Sequence, residues 1–230
     1  MRYGETCVGG GSIILNKKPS VLEKINDVDC DLISIYGAVK YGPDKLIDFL
    51  SNIPHCQESF DKAKECGFNW APADEFVLRR MSRSGMMKDY AFSERLRGGK
   101  PENLNAWENS IKAIRPIHNR LKDVDIYNED LLDFINRTVD FLYIDPPFLP
   151  STRAAKSVYR CEMSYAQHEE MLKAIHDDKR KILLAGYDSE LYKDYLELKG
   201  WTRLSKELTN HSSQSKKKKT KMLSLWKNYS

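Results

Sequence analysis

The chain has 230 residues, with 37 Lys and Arg against 33 Asp and Glu, 41% apolar residues and five Cys. That length predicts one or two domains with a core that needs no disulfide or metal staple, and the balance of apolar and charged residues excludes an intrinsically disordered chain. No apolar run approaches the roughly 18 residues of a membrane span, and the start Met1-Arg2-Tyr3-Gly4-Glu5 has no signal-peptide core, so a cytoplasmic protein with no membrane partner is expected.

Short apolar strands alternate with helical stretches, the pattern of a parallel α/β sheet. The first strand is predicted over residues 3–8 and runs into Val8-Gly9-Gly10-Gly11-Ser12, with a helix expected to open at Ile13. Glycines there admit positive φ and let the backbone approach a ligand. In a doubly wound fold this first turn is where a nucleotide-like cofactor lies; ordinary turns use the same residues. No Gly-Lys-Ser/Thr follows, which argues against a phosphate-binding loop.

The second strand, 21–25, ends in Asn26-Asp27, and Asp27 stands 16 residues after Gly11. A carboxylate at that strand tip suits a ribose diol. Asn26 or Asp29 also suits the cap of the next helix, predicted over 28–40. A helix over 44–52 follows.

Residues 41–123 contain no good strand. The stretch is helical in parts and loop-like around 82–104, with Gly85, Gly98, Gly99 and Pro101. A long helix is expected over 103–120, with Asn103 or Asn105 as its cap and Ile111, Ile114 and Ile117 along it. The separation far exceeds one crossover. Residues 41–123 are therefore read as a helical insertion, and residues 1–40 with 124–230 as the sheet domain.

The third strand, 124–127, ends in Asn128-Glu129-Asp130. Asp130 fits equally beside a cofactor's base or as the cap of a helix from Leu131. The fourth strand, 139–144, is nearly all apolar, as a strand covered on both faces should be. It runs into Asp145-Pro146-Pro147-Phe148. The prolines fix φ and cannot donate, which leaves carbonyl acceptors beside a carboxylate, with an aromatic face next. That set suits a planar ring bearing an amino group; a proline-stiffened strand end is the plainer reading. Helices over 166–177 and 190–198 and strands over 181–185, 201–207 and 222–226 complete the chain.

Charge is concentrated. Residues 76–100 hold seven bases, among them Arg79, Arg80, Arg83, Arg95 and Arg97, against two acids. Residues 199–230 hold nine bases, including Lys216, Lys217, Lys218 and Lys219, against Glu207. Such patches on a near-neutral chain suit a polyphosphate; the lysine run also fits a solvated hairpin tip. Cys7, Cys30, Cys56, Cys66 and Cys161 are scattered without a Cys-x-x-Cys pair, so buried free thiols and no metal are expected.

Taken together, Glu5-Thr6-Cys7-Val8-Gly9-Gly10-Gly11-Ser12, the segment Ile25-Asn26-Asp27-Val28-Asp29, and the run Phe-Leu-Tyr-Ile-Asp-Pro-Pro-Phe-Leu-Pro-Ser-Thr-Arg ending at Arg153 resemble the Dam-type, phage-like family of S-adenosylmethionine-dependent DNA adenine methyltransferases. Gly186-Tyr187-Asp188-Ser189 with Leu191-Tyr192, and the closing Leu225-Trp226, also fit. The likeness implies an α/β, Rossmann-like seven-strand methyltransferase sheet with a helical target-recognition insertion. It implies a site-specific adenine-N6 methyltransferase that flips its base out of double-stranded DNA, in a restriction-modification or phage setting.

On that resemblance Asp145, Pro146, Pro147 and Phe148 are catalytic. Glu5, Cys7, Gly9, Gly10, Gly11, Asp27, Asp130 and Asp145 face S-adenosylmethionine. Arg79, Arg80, Arg83, Arg95, Arg97, Ser151, Thr152, Arg153 and Lys156 face DNA. A monomer or weak dimer is expected.

Three departures stand out. The family's Glu-Pro-Phe is Glu5-Thr6-Cys7 here, the usual last Tyr of its Asp-Pro-Pro-Tyr motif is Phe148, and the upstream Gly-Gly-Lys-like segment has no counterpart in the chain. The last suggests an upstream start, weakened cofactor binding, or a segment supplied by a partner; hence the alternative of a catalytically impaired DNA-binding relative or half-enzyme. A cytosine-N4 enzyme is a second alternative. A cytosine-C5 enzyme is disfavoured because the chain has no Pro-Cys dipeptide.

Overall fold

The computed structural model describes residues 1–153, 159–209 and 220–230. Lys156 and the four lysines 216–219 lie outside the described residues. In chain order the elements are β1 (Arg2–Glu5), β2 (Leu22–Asn26), α1 (Cys30–Tyr41), α2 (Pro43–Ser51), α3 (Gln57–Lys64), α4 (Ala71–Met81), β3 (Leu96–Arg97), β4 (Lys100–Pro101), α5 (Glu102–Lys112) and α6 (Ile114–Leu121). Then follow β5 (Val124–Tyr127), α7 (Leu131–Ile135), β6 (Phe141–Ile144), α8 (Tyr165–Ile175), β7 (Lys181–Tyr187), α9 (Glu190–Tyr195), β8 (Thr202–Thr209) and β9 (Thr220–Lys227).

Seven strands form one mixed sheet in the order β5-β2-β1-β6-β7-β9-β8. β1 is parallel to both β2 and β6, and β6 to β7; β9 is antiparallel to β7 and β8. The chain leaves β1 toward β2 on one side and returns to β6 on the other. The carboxyl ends of β1 and β6 therefore flank a topological switch point, where open α/β sheets bind ligands.

The chain divides into two compact units, residues 1–28 with 127–230, and residues 29–126. In the first, Leu142, Ile144, Ile182 and Leu184 of the central strands meet Met171, Leu172 and Ile175 of α8 in a closed core. Ser164 and Gln167 form a reciprocal capping box that starts α8. Gly4 is tightly enclosed: a Cβ there would sit 3.1 Å from Val139 Cγ1, so the valine would have to give way slightly.

In the second unit α1 begins at Asp29, whose carboxylate accepts from Asp31 N and Leu32 N, so the cap is Asp29 and not Asn26. The stretch read as strand-free contains a short antiparallel hairpin, β3–β4, pairing Leu96 with Pro101 and Arg97 with Lys100. Its two-residue turn is Gly98-Gly99, both at positive φ, which the right-handed twist of a hairpin favours. The pairing is too short to leave an alternating pattern in the sequence.

Other expectations are corrected. No helix opens at Ile13; residues 12–16 are a run of turns, because Pro19 and the short return to β2 leave no room for one. The single helix over 103–120 is two, broken at Ala113, since Pro116 cannot bond back to the preceding turn. Its start is capped by neither asparagine: Pro101 holds the N-cap position, and Asn105 donates instead to the Arg97 carbonyl at 2.7 Å. All five cysteines are free; Cys7, Cys56 and Cys161 are partly buried, whereas Cys30 and Cys66, expected to be buried, are exposed. Among the described residues no helix is long and apolar enough to cross a membrane.

Candidate active site

The groups that border the two cavities belong to the first unit. The turn after β1 is stitched to both neighbouring strands: Thr6 N donates to the Tyr143 carbonyl at 3.1 Å and Val8 N to the Asn26 carbonyl at 2.8 Å. Gly11 N closes the turn on the Val8 carbonyl at 2.8 Å, with Gly9 and Gly11 at φ 48° and 71°. A side chain at either would strain the backbone. The Asp27 carboxylate accepts Gly9 N at 3.0 Å.

Asn26 is 1% exposed and joins three strand ends. Its amide donates to the Thr6 carbonyl at 3.0 Å and the Glu129 carbonyl at 3.1 Å, and accepts Glu129 N at 2.9 Å. Asp130, next along, does two things expected of it: it accepts Leu132 N at 2.8 Å as the cap of α7, and it faces a cavity.

That cavity, about 350 Å³, is bordered by Thr6, Cys7, Asn26, Val28, Asp130, Leu131, Pro147, Cys161, Met163 and Gln167 among others. A second, about 180 Å³, is bordered by Glu5, Cys7, Gly9, Gly10, Asp145, Pro146 and Tyr159. Cys7 borders both. The turn after β6 thus faces the glycine turn after β1 across one small space, with Asp145 and Gly10 on the same cavity.

Carboxyl chemistry there is perturbed. Burial pushes Glu5 up to about 7, with Asp145 acting the same way, against the hydrogen bond that Tyr3 donates at 2.9 Å. Burial also raises Asp145 above the ordinary carboxylate range, opposed by the Tyr143 hydroxyl, which donates to Asp145 Oδ2 at 3.3 Å. Burial raises the Cys7 thiol, which stays protonated. Two acids that resist ionisation beside a cavity are what a cationic ligand would stabilise in charged form.

Not every expected residue borders these spaces. Gly11 is buried within the turn, and Asp27 acts on it through Gly9. Phe148 packs edge-on against Tyr187, with ring centroids 4.5 Å apart. Ser151 is exposed, Thr152 Oγ1 donates to the Leu149 carbonyl at 2.7 Å, and the Arg153 side chain, 5% exposed, is held by Glu162 at 2.5 Å. Tyr159 and Asn26 were missed as cavity residues. The tyrosine leaves no pattern of its own in the sequence, and Asn26 is inseparable there from a helix cap. In the second unit Arg79 is committed to Asp29 at 2.7 Å and Glu75 at 2.9 Å, whereas Arg80, Arg83, Arg95 and Arg97 are exposed.

A seven-strand mixed sheet with a glycine turn, an acid after the third strand of the sheet domain and an Asp-Pro-Pro-aromatic turn, set around two cavities that share Cys7, defines an α/β protein of the S-adenosylmethionine-dependent methyltransferase type. The chain belongs to the D12 class N6 adenine-specific DNA methyltransferase family, whose family model matches residues 2–211. It is 25% identical over 176 residues to Type II methyltransferase M.MjaIII of Methanocaldococcus jannaschii, covering 67% of this chain and 61% of that protein, so it spans about three fifths of the relative's length. Among solved structures it is similar to the rRNA methyltransferase aviRa from Streptomyces viridochromogenes (11% identity, 98% of this chain and 76% of that chain, TM-score 0.39). It is also similar to precorrin-6y C5,15-methyltransferase from Geobacter metallireducens GS-15 (13% identity, 55% of this chain and 64% of that chain, TM-score 0.25).

Proposed function

We propose that this protein transfers a methyl group from S-adenosylmethionine to the exocyclic nitrogen of adenine in double-stranded DNA. The observation that carries the reading is the small cavity on which Asp145 and Pro146 face Glu5, Gly9 and Gly10. Family membership supports the choice of base and of donor.

The cavity residues fit the cofactor. Asn26, Val28 and Asp130 would hold its nucleoside end, and Glu5 with Gly9 and Gly10 its amino-acid end; Asp27 acts by fixing the glycine turn. Glu5 and Asp145, both raised by burial, suit a group with positive charge on sulfur and on the amino end. When bound, the cofactor supplies a methyl group activated by its sulfonium. Asp145 and the Pro146 carbonyl accept hydrogen bonds from the two amino hydrogens of adenine, drawing the nitrogen lone pair out of the ring and favouring the positive charge that develops there; one of those protons is released to solvent once the methyl group is on nitrogen. Their placement before reaction supplies much of the remainder, and no covalent enzyme nucleophile is needed.

A base inside a duplex must be flipped out. Tyr159 borders the receiving cavity, and Phe148 packs edge-on against Tyr187. Exposed Arg80, Arg83, Arg95 and Arg97 suit phosphate contact or guanine readout. Methylation at a fixed site in the cytoplasm would protect DNA from a matching endonuclease, in a restriction-modification pair or on a phage genome, the enzyme acting as a monomer or weak dimer.

The test is incubation with labelled S-adenosylmethionine and mixed-sequence duplex DNA, then nucleoside analysis. N6-methyladenine is expected. N4-methylcytosine as the product, or no methylated nucleoside, would overturn the reading.

A further inference from the structure

His168 on α8 is fully buried, and no step above uses it. Its Nδ1 lies 2.9 Å from the Tyr192 hydroxyl. Its Nε2 is buried too and closes no hydrogen bond of ordinary geometry; the backbone group acting on the ring is the Pro147 carbonyl, in the middle of the turn that carries Asp145 and Pro146. Tyr192 cannot drift. It is 1% exposed, its ring lies 5.0 Å from that of Trp226, and a Cβ on Gly186 would come within 3.2 Å of its Cε1. Its hydroxyl lies within electrostatic reach of Cys7 and Asp145. The His168–Tyr192 pair therefore backs the catalytic turn from inside the protein.

Burial lowers the imidazole to about 4, so the ring is neutral near pH 7, with one donor and one acceptor nitrogen. With the proton on Nδ1, the Nε2 lone pair would face a carbonyl lone pair. With the proton on Nε2, Nδ1 accepts the Tyr192 O–H and the N–H is offered to the Pro147 carbonyl. Only the second arrangement gives both nitrogens a partner, and buried polar groups are paired.

We infer that His168 is a positioning residue for methyl transfer: its Nε2–H, oriented through Tyr192, holds the Pro147 carbonyl and so sets the direction of the Asp145 and Pro146 acceptors. This role rests on the methyl-transfer reading.

The experiment has two arms. In the first, kcat and the KM for S-adenosylmethionine are measured for wild type, His168→Phe, His168→Gln and His168→Asn. The Gln amide reaches the place of Nε2, and the Asn amide only that of Nδ1. His168→Phe is expected to lower kcat at least about tenfold, near 1.4 kcal/mol of barrier, with KM within about twofold; Gln restores most of it and Asn does not. Rescue by Asn alone, or an unchanged kcat in His168→Phe, overturns the role. In the second arm, nitrogen-15 spectra of the histidine rings in wild-type protein report the tautomer directly. Nε2–H at neutral pH is expected, and Nδ1–H overturns the inference even if the variants fail to fold. A wild type that methylates no adenine would strike the methyl-transfer reading instead, and the tautomer would still decide the geometry of His168.

Discussion

The Tyr143 hydroxyl donates to Asp145 Oδ2 at 3.3 Å, so the last buried tyrosine of β6 steadies the carboxylate that ends it. Burial raises the Asp145 pKa, and this contact opposes the rise by favouring the ionised carboxylate. Tyr143→Phe is expected to raise the Asp145 pKa further. The acid limb of the kcat/KM profile then moves to higher pH while the plateau at high pH changes little. A pH profile that overlays wild type removes Tyr143 from the tuning of Asp145. Asp145→Ala is expected to abolish methyl transfer with DNA binding nearly intact, checked by nucleoside analysis and a binding titration; unchanged turnover would remove Asp145 from the chemistry.

Glu5 couples the site to stability. Its folded-state pKa is raised to about 7, above the ordinary carboxyl value of about 4.3. Such a shift costs stability as pH rises: the unfolded chain releases the proton near pH 4 to 5, and the folded one keeps it until about 7. Stability is therefore lost between those values and is flat above. Glu5→Gln keeps an oxygen for the Tyr3 hydroxyl and removes the charge. It is expected to stabilise the apo protein by up to roughly 3 kcal/mol at pH 8 and by almost nothing at pH 4. Thermal melts at the two pH values check this; equal differences at both would contradict the linkage. The same variant should bind S-adenosylmethionine more weakly, since one counter-charge is gone.

Asn26 is the tie between the tips of β1, β2 and β5. Asn26→Ala would strand the Thr6 and Glu129 carbonyls and Glu129 N near a buried site. The expected loss is about 2–4 kcal/mol, from several unsatisfied groups at roughly 1 kcal/mol or more each. Urea unfolding measures it, and a loss below about 0.5 kcal/mol would show that water replaces the amide.

The β3–β4 hairpin and its flanks expose Arg95 and Arg97. Replacing both by Ser should weaken DNA binding and lower the slope of log K against log salt by close to 2, if each meets a phosphate. Arg79→Ala should act differently. It breaks the pairs with Asp29 and Glu75 and lowers the unfolding free energy, with the salt slope unchanged. A loss of slope in Arg79→Ala without a loss of stability would reverse the two assignments.

Local pattern in the sequence was enough to locate the sheet strands, the glycine turn and the Asp-Pro-Pro-Phe strand end, because each rests on period, proline stiffness or glycine freedom within a few residues. The β3–β4 hairpin was invisible because two residues per strand establish no period. The break at Ala113 was legible in principle at Pro116, yet the apolar spacing on both sides concealed it.

The residue types of the site are thus a property of the sequence: acids, glycines and prolines at strand ends. Which of them share a cavity was settled by tertiary structure alone. Parallel pairing of β1 with β2 and β6 brings Gly9, Asn26 and Asp145 to one edge, although more than a hundred residues separate the first from the last. The same holds for charge. Arg79 and Arg153 read like exposed bases in the chain, and only the folded protein shows that they are bound to Asp29 and Glu75, and to Glu162, because an ion pair depends on distance through space and leaves no mark on local composition.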